Sequence, residues 1–297
     1  MATLRELKTR IGSVSSSEKI TGAMKMISSA KVHKNEQELR RLLPYKSQIQ
    51  SIMGHILASD ATFESPLIQD REVRKIGLVV FGSDDGLCGA YNMNVFKKLL
   101  EEINLLRDKY GQDVLFHIYP VGRKVVRAAE KIKDPGIEVT KIDGVDSKMG
   151  ADKVNDFTLM LKDGFTAEDF DLVEVVYMRF FSISRQRATV DVLFPVKDEI
   201  LLAGKDEKKG NENQVYIFEP DANSIFNEVL PMFVLSMMQE ITIENRASEQ
   251  AARVMAMQAA NDNAKKLNEE LQLEYNKLRQ QSITTELLDI LGGQVER

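Results

Sequence analysis

Apolar side chains at both ends of the chain recur every three or four residues, the spacing that places them on one face of an α-helix. The N-terminal stripe contains Leu4, Leu7, Ile11 and Val14, and after a slight change of phase it resumes at Ile20, Met24 and Ile27. This pattern predicts a helix from residue 3 to about residue 57. Because proline lacks a backbone N–H, Pro44 is expected to kink or locally break this helix.

The C-terminal stripe is longer, and no proline or glycine interrupts the chain between Met232 and Leu291. It has heptad-like spacing, diluted by small and polar residues. Its members are Val254, Met257, Asn261, Ala264, Asn268, Leu271, Tyr275, Leu278, Ser282 and Thr285. Pro231 is expected to bend or start the helix, and Gly292 and Gly293 to end it. Such a helix is about 90 Å long at 1.5 Å per residue, so much of it should project from any compact domain.

The middle of the chain has a different pattern, in which apolar, β-branched runs alternate with helical segments. The runs cover residues 76–81, 114–119, 172–178 and 189–194, and the helical patterns cover 94–109 and 122–133. Alternation of this kind predicts an open, mainly parallel sheet, and the last two runs are typical of a hairpin, which makes the sheet mixed. The polar stretch 204–213 is expected to be an exposed loop.

The predicted fold class is therefore α/β, with a Rossmann-like central domain and a long antiparallel coiled coil of the N- and C-terminal helices. The predicted boundaries are 1–57 for the first helix, 74–220 for the central domain and 221–297 for the last helix. Residues 1–57 carry ten Lys/Arg against four Asp/Glu, and residues 221–297 carry seven against twelve. Opposite charges favour pairing of the two helices modestly, although a solvated basic face explains the charge equally well.

The composition of the chain indicates the cellular compartment in which the protein is expected. The 297-residue chain has a net charge of −5 and one cysteine, Cys88, so no internal disulfide can form. No run of about 18 apolar residues predicts a membrane span, and the N-terminus lacks the apolar stretch of a secretion signal. These features predict a soluble intracellular protein.

Candidate chemistry is sparse. The loop 82–89 follows the first predicted strand, where a dinucleotide fold holds pyrophosphate, yet it lacks the G-x-G-x-x-G spacing, and Asp84 and Asp85 would repel phosphate. The same two carboxylates are a weak cation candidate, and Cys88 has no evident activating neighbour. The three histidines lack metal-ligand spacing, and the basic first helix lacks the aromatic residues of a nucleic-acid module. No catalytic residue, cofactor, metal or nucleic-acid partner is expected.

Several motifs occur in order along the chain and together resemble the gamma subunits of F-type ATP synthases. Residues 19–27 read KITGAMKMI, residues 248–257 read SEQAARVMAM, and residues 271–287 read LQLEYNKLRQQSITTEL. Between them, residues 85–89 read DGLCG and residues 219–221 read EPD. Each motif is short, but the ordered set covers nearly the whole chain and is highly specific.

The chain also departs from the family pattern. Asp85 stands where the family loop carries arginine, so contacts made by that arginine are in doubt. Gly22 replaces a residue that is usually charged, and Pro231 comes early in the last helix. The cysteine-bearing insertion of chloroplast members is absent, so thiol regulation of that kind is not expected.

The resemblance implies a central-stalk rotor, a subunit that does no chemistry and transmits rotation between a membrane c ring and a ring of alpha and beta subunits where ATP is made or hydrolysed. It implies alpha, beta, epsilon and the c ring as partners. It also implies a peripheral location on the cytoplasmic face of the bacterial plasma membrane, with membrane attachment through partners only.

The resemblance further implies roles for matched positions. The catch contacts to a beta-subunit loop are expected at Arg279, Gln280 and Thr284. Contacts to the beta-subunit levers are expected at Arg253 and Met24, with Arg10, Lys19 and Lys25 as companions. An apolar tip held in the collar of the ring is expected at Ile283, Leu287, Ile290 and Leu291. Foot contacts to the c ring or epsilon are expected at Cys88, Tyr216 and Glu219.

Two other classes remain open from the residues alone. A nucleotide- or dinucleotide-binding α/β enzyme with coiled-coil extensions should show a saturable rise in melting temperature with ATP, ADP or NAD. A coiled-coil adaptor protein unrelated to rotation should fail to co-purify with alpha and beta subunits or to raise their ATPase rate.

Overall fold

The computed structural model describes residues 3–57, 63–197 and 218–295. Its helices are α1 (Leu4–Leu57), α2 (Tyr91–Tyr110), α3 (Arg123–Ala129), α4 (Ala151–Thr166) and α5 (Ala222–Val295), with a short 3-10 helix at Pro66–Ile68. Its strands are β1 (Lys75–Phe81), β2 (Leu115–Val121), β3 (Ile137–Val139), β4 (Leu172–Ser182) and β5 (Arg185–Phe194). The chain divides into two compact units. One combines the residues up to 29 with those from 253 onward, and the other is residues 30–252.

The second unit is built on a five-stranded sheet in the order β3-β2-β1-β4-β5. The first four strands are parallel, and β5 pairs antiparallel with β4 as a hairpin. The predicted mixed sheet is therefore confirmed. The strand order reverses direction between β1 and β4, which is the switch point of the sheet, the place where open α/β folds hold ligands.

Both faces of the sheet are covered, which explains why its central strands are nearly all apolar. Alternate residues of β1 and β4, such as Val80 and Val176, pack against α2 and α3. The residues between them, such as Val79 and Val175, pack against α4 and parts of α1 and α5. The last turns of α1 and the first turns of α5 thus belong to the same core as the sheet.

The predicted strands and helices of this unit are found with modest changes of boundary. Sequence analysis missed β3, a three-residue edge strand, and α4, which supplies the crossover from β3 to β4. The predicted helix 122–133 is shorter in the structure and ends at Ala129. The predicted loop 204–213 lies outside the described residues.

Proline and glycine interrupt the long helices less than predicted. Helix α1 runs through Pro44 without a break. Helix α5 begins at Ala222, so Pro231 lies inside it and does not start it. The helix also extends through Gly292 and Gly293 to Val295, so the expectation that the glycine pair ends it was wrong. No helix within the described ranges is long and apolar enough to cross a membrane.

The first unit pairs the start of α1 with the end of α5 in antiparallel directions. The Asn261 side-chain Nδ2 donates to the backbone oxygen of Glu18 at 2.7 Å and to Thr21 Oγ1 at 3.3 Å. Every member of the predicted α5 stripe from Val254 to Ser282 is buried or half-buried. Thr285, its last predicted member, is exposed, because in this register it lies beyond the start of α1.

The α1 stripe follows a different path from the one predicted. From Leu4 to Val14 the prediction is correct, but Ile20 and Ile27 are exposed, at 60% and 58% of their surface. The least exposed positions continue the three-and-four spacing without a change of phase, through Glu18, Thr21, Lys25 and Ser28. The helical period, and not side-chain polarity, therefore determines which α1 residues face the inside of the helix pair. Polar residues line this part of the pair as a result.

Candidate functional site

The loop after β1 is organised by a buried carboxylate. Asp84 accepts hydrogen bonds from the Arg123 backbone N–H at 3.0 Å and from the Ser147 hydroxyl at 2.8 Å. An N–H at the start of a helix is where an α/β fold often binds a ligand's phosphate. Here a carboxylate of the chain itself occupies that position, so the loop is a structural element.

Asp85 stabilises the same loop from its exposed side. Its carboxylate lies 3.3 Å from Arg123 Nη2 and 2.8 Å from Lys148 Nζ. The residue that departs from the family motif therefore pairs with cations of two neighbouring segments. Such exposed pairs contribute roughly 0–1 kcal/mol each.

Two glycines beside the loop after β1 allow neighbouring segments of the chain to pack closely. A Cβ at Gly82 would overlap the side chain of Val125. Gly122 has a φ of 104°, and a Cβ there would lie 3.0 Å from the Gly82 carbonyl carbon. The chain therefore needs glycine at both positions to bring its own segments together.

The switch point between β1 and β4 is also filled by the chain. Asn245 of α5 is 1% exposed, and its Oδ1 accepts from the Tyr91 hydroxyl at 2.6 Å. Its Oδ1 lies 3.3 Å from the Met178 backbone N–H, and its Nδ2 lies 3.4 Å from the Gly82 oxygen. The crevice in which related architectures place a nucleotide thus contains a helix of the same chain. Sequence reasoning missed Asn245, since an isolated asparagine in a helix has no spacing signal.

Other candidate chemistry is equally unsupported within the residues that the structure describes. They contain no group of three or more His, Cys, Asp or Glu side chains that could hold a metal ion. Cys88 is buried, and its sulfur accepts a hydrogen bond from Asn92 Nδ2 at 3.3 Å. Its neighbour Leu87 is exposed and adopts a φ of 63°.

The structure places most of the predicted partner contacts on the surface of the helix pair. Arg279, Gln280 and Thr284 are exposed, as are Arg10 and Lys19. The four apolar residues predicted for the tip are all exposed too, namely Ile283, Leu287, Ile290 and Leu291.

The remaining predicted contacts have different surroundings. Met24 and Lys25 are half-buried, and Arg253 is buried at 6% exposure. In the other unit Glu219 is exposed, whereas Tyr216 lies outside the described residues.

The helix pair also exposes apolar residues that sequence reasoning did not assign to its outer surface. Ile20, Met26 and Ile27 of α1 are more than half exposed, and Leu273 of α5 is 72% exposed. Large apolar side chains that are exposed together on one helix surface are typical of protein-binding sites, whereas single exposed apolar residues are common on any protein surface. Their signal in the sequence was that they fall outside the unbroken three-and-four spacing.

An α/β domain whose ligand crevice holds a helix of its own chain, together with a helix pair that exposes apolar and cationic side chains, is typical of a subunit that binds other proteins. A family model described as ATP synthase matches residues 3–295. The ATP synthase gamma chain of Bacteroides fragilis is 38% identical over 294 residues, 99% of each chain. That of Phocaeicola vulgatus is 40% identical over 298 residues, again 99% of each chain. The chain therefore belongs to the ATP synthase gamma chain family.

Solved structures agree in fold. A chain of the Euglena gracilis mitochondrial ATP synthase, in a structure of its OSCP, F1 and c-ring, aligns with a TM-score of 0.62 at 20% identity. The alignment covers 98% of this chain and 93% of that chain. A chain from the rotor of the same enzyme aligns with a TM-score of 0.58. The predicted combination of long terminal helices and a mixed sheet is thereby confirmed.

Proposed function

We propose that this chain is the central-stalk rotor subunit of an F-type ATP synthase and transmits rotation between a c ring and a ring of alpha and beta subunits. Its function is mechanical, and ATP is made or hydrolysed on other subunits. Its partners are the alpha and beta subunits, epsilon and the c ring. Its place is the cytoplasmic face of the bacterial plasma membrane, where partners hold it.

The observation that carries this proposal is the outer surface of the helix pair. A rotor must offer different surfaces to equivalent subunits as it turns, because a partner shifts a conformational equilibrium only through unequal interactions with its states. Ile20 and Ile27 expose apolar surface on α1, whereas Arg279 and Gln280 expose hydrogen-bond donors on α5. These surfaces differ in chemistry, as the mechanism requires.

The exposed polar group of Arg279, Gln280 and Thr284 is proposed as the catch that a beta subunit engages. Guanidinium and amide groups form directional hydrogen bonds, which can break and re-form at each step. In this chain the Thr284 hydroxyl donates to the Gln280 backbone oxygen at 2.9 Å. That bond fixes the orientation of the threonine. The Arg279 and Gln280 side chains are exposed, so a partner can reach them.

Contacts to the beta-subunit levers are proposed for Arg253 and Met24, with Arg10, Lys19 and Lys25 as companions. Exposed lysines and arginines attract an acidic partner weakly, which suits contacts that must release during rotation. Arg253 is buried in the isolated chain, so its contribution is proposed to act through the shape and charge of the surrounding helix surface.

The tip and the foot complete the proposed assembly. The exposed apolar residues Ile283, Leu287, Ile290 and Leu291 would sit in the collar of the ring, which shields them from water. Glu219, Tyr216 and Cys88 are proposed to mark the region that meets the c ring or epsilon. Because Cys88 is buried, Leu87 beside it would supply the direct contact.

Reconstitution with alpha and beta subunits tests the proposal. The chain should co-purify with both and raise their multi-site ATPase rate. A variant with Arg279→Ala and Gln280→Ala should weaken assembly or turnover while the isolated chain unfolds at the wild-type temperature. The matched control is Lys277→Ala with Gln281→Ala, which removes equally exposed side chains from the same helix.

Two outcomes would contradict specific parts of the proposal. An alpha–beta ring that forms without binding this chain would refute the rotor function itself. Normal turnover in the Arg279 and Gln280 variant, equal to that of the control, would refute the catch and leave the rotor function standing.

A further inference from the structure

Helix α5 is attached to the sheet at the point where strand order reverses. The Asn245 side chain lies where β1 ends and β4 continues beyond its last pair with β1. Its Nδ2 is near the Gly82 oxygen, and its Oδ1 is near the Met178 N–H. The same Oδ1 accepts from Tyr91, the first residue of α2. One amide therefore joins α5 to two central strands and to the helix that follows the first of them.

An amide is the side chain suited to this place. It carries donor and acceptor groups on one planar unit, so it can satisfy a backbone oxygen and a backbone N–H at once. Asn245 and Tyr91 are both buried, at 1% and 3% exposure. Water cannot readily replace these partners, so the Asn245 contacts resist displacement of the helix.

A second set of contacts holds α5 from another direction. Gln239 Nε2 donates to Asn155 Oδ1 of α4 at 2.8 Å. Arg246 donates through Nε to the Ser147 oxygen at 2.9 Å and through Nη2 to the Met149 oxygen. Gln239 and Arg246 are two helical turns apart and so lie on nearly the same face, whereas Asn245 lies about 100° away around the axis.

Contacts on two faces resist a motion that contacts on one face would allow. A helix held along a single line can roll about that line, but α5 cannot turn about its own axis without separating Asn245 from the sheet or Arg246 from the 147–149 segment. The apolar side chains of α5 that pack against the sheet, such as Phe233 and Met238, also oppose rolling, because turning the helix would expose them. The hydrogen bonds on the two faces add a directional restraint to this packing.

We propose that Asn245 is a positioning residue that fixes the rotational setting of α5 in the sheet domain, so that the helix turns with that domain and does not slip. The inference rests on the proposed rotor function and deepens it. The crevice in which open α/β folds bind ligands holds part of α5 here, and Asn245 joins that part of the helix to the sheet.

The test uses the complete membrane-bound complex, assembled with wild-type chain, Asn245→Leu or Tyr91→Phe. The measured quantity is the number of protons pumped per ATP hydrolysed, at low and at high opposing proton gradient. If α5 slips in Asn245→Leu, the number of protons pumped per ATP should fall at least twofold at the high gradient. At the low gradient the fall should be smaller. Tyr91→Phe, which removes one hydroxyl, should show a smaller fall with the same dependence on load.

Tyr119→Phe is the matched control. It makes the same chemical change on β2, where the Tyr119 ring packs against Phe157 and Phe170, and its ratio should equal the wild-type value. If Asn245→Leu fails to assemble, Tyr91→Phe decides. A wild-type ratio at every gradient in the variants that assemble, with only a lower melting temperature, would overturn the proposal. Wild-type complex that hydrolyses ATP but pumps neither protons nor sodium ions would refute the rotor function instead.

Discussion

A buried carboxylate in β4 allows a quantitative prediction about pH and stability. Glu174 is 7% exposed on the α2 face of the sheet. Among the described residues its Oε2 has no hydrogen-bond donor. Burial, together with the negative charge of Glu102, raises the pKa of this carboxyl from 4.5 to about 7, against a smaller opposing effect of nearby lysines. We therefore consider Glu174→Gln, which mimics the protonated side chain.

The magnitude follows from the two pKa values. The folded chain keeps the Glu174 proton between about pH 4.5 and 7, where the unfolded chain has released it. Stability from this group is therefore complete below that range and falls as pH rises through it. Because a tenfold change in proton affinity corresponds to about 1.4 kcal/mol, the loss is about 3 kcal/mol above pH 7. Glu174→Gln should have little effect at pH 4.5 and stabilise the chain by up to about 3 kcal/mol at pH 8.

Urea unfolding of the full chain at pH 4.5, 6 and 8 measures this difference. Glu101→Gln is the control, since that side chain lies on α2 with 51% exposure and forms a long pair with Lys97 at 3.8 Å. The control should follow the wild-type pH profile. If Glu174→Gln also ran parallel to wild type between pH 4.5 and 8, the reasoning from burial would be refuted.

Four further substitutions test the loop after β1 and helix α1 by the same unfolding measurement. Asp84→Ala should lower the free energy of unfolding by about 1–3 kcal/mol, because it leaves buried donors unpaired. Asp85→Ala removes exposed pairs and should lower it by less than about 1 kcal/mol. Equal losses in the two variants would contradict this assignment. Gly82→Ala should destabilise by about 1–3 kcal/mol through overlap with Val125, and a neutral result would mean that the loop can move apart. Gly12→Ala, where a Cβ meets nothing within 4 Å, should stabilise α1 by up to about 1 kcal/mol, and destabilisation there would argue against an uninterrupted helix.

The sheet was predictable because its central strands are buried on both faces and read as apolar runs. Strand β3 was not predictable from the sequence, because only Ile137 to Val139 pair with β2 and the strand is half-buried at the edge of the sheet. The long helices were predicted from their period, but their limits were not. From local geometry alone, Pro44 is expected to kink or locally break its helix and Pro231 to bend or start the last helix. The structure places both prolines inside continuous helices.

The candidate site also combines features that the sequence predicted with one that it did not. Motif resemblance gave the partner contacts of the helix pair, and those roles stay predictions. The missing phosphate-loop motif led to the prediction that the α/β domain does not bind a nucleotide, and this stays a prediction. What fills the crevice could not be read from the sequence, because Asn245 lies more than 150 positions from Tyr91 and Gly82 along the chain. Contacts of that range depend on the arrangement of the whole domain.

Between Val14 and Ser28, the side of α1 that lines the helix pair is polar and the outer side is apolar. Between Val14 and Ser28 the pair is lined by Glu18, Thr21 and Lys25, while Ile20 and Ile27 face outward. This reverses the usual amphipathic arrangement, in which burying apolar residues between helices supplies most of the stability. The reversal gives up stability in the isolated pair and leaves apolar surface to be buried by neighbouring subunits. We therefore expect Ile20→Ser with Ile27→Ser to leave thermal unfolding of the free chain nearly unchanged and to weaken its assembly with alpha and beta subunits. A variant that lost stability in the free chain but assembled normally would show that these isoleucines serve the fold and not the partners.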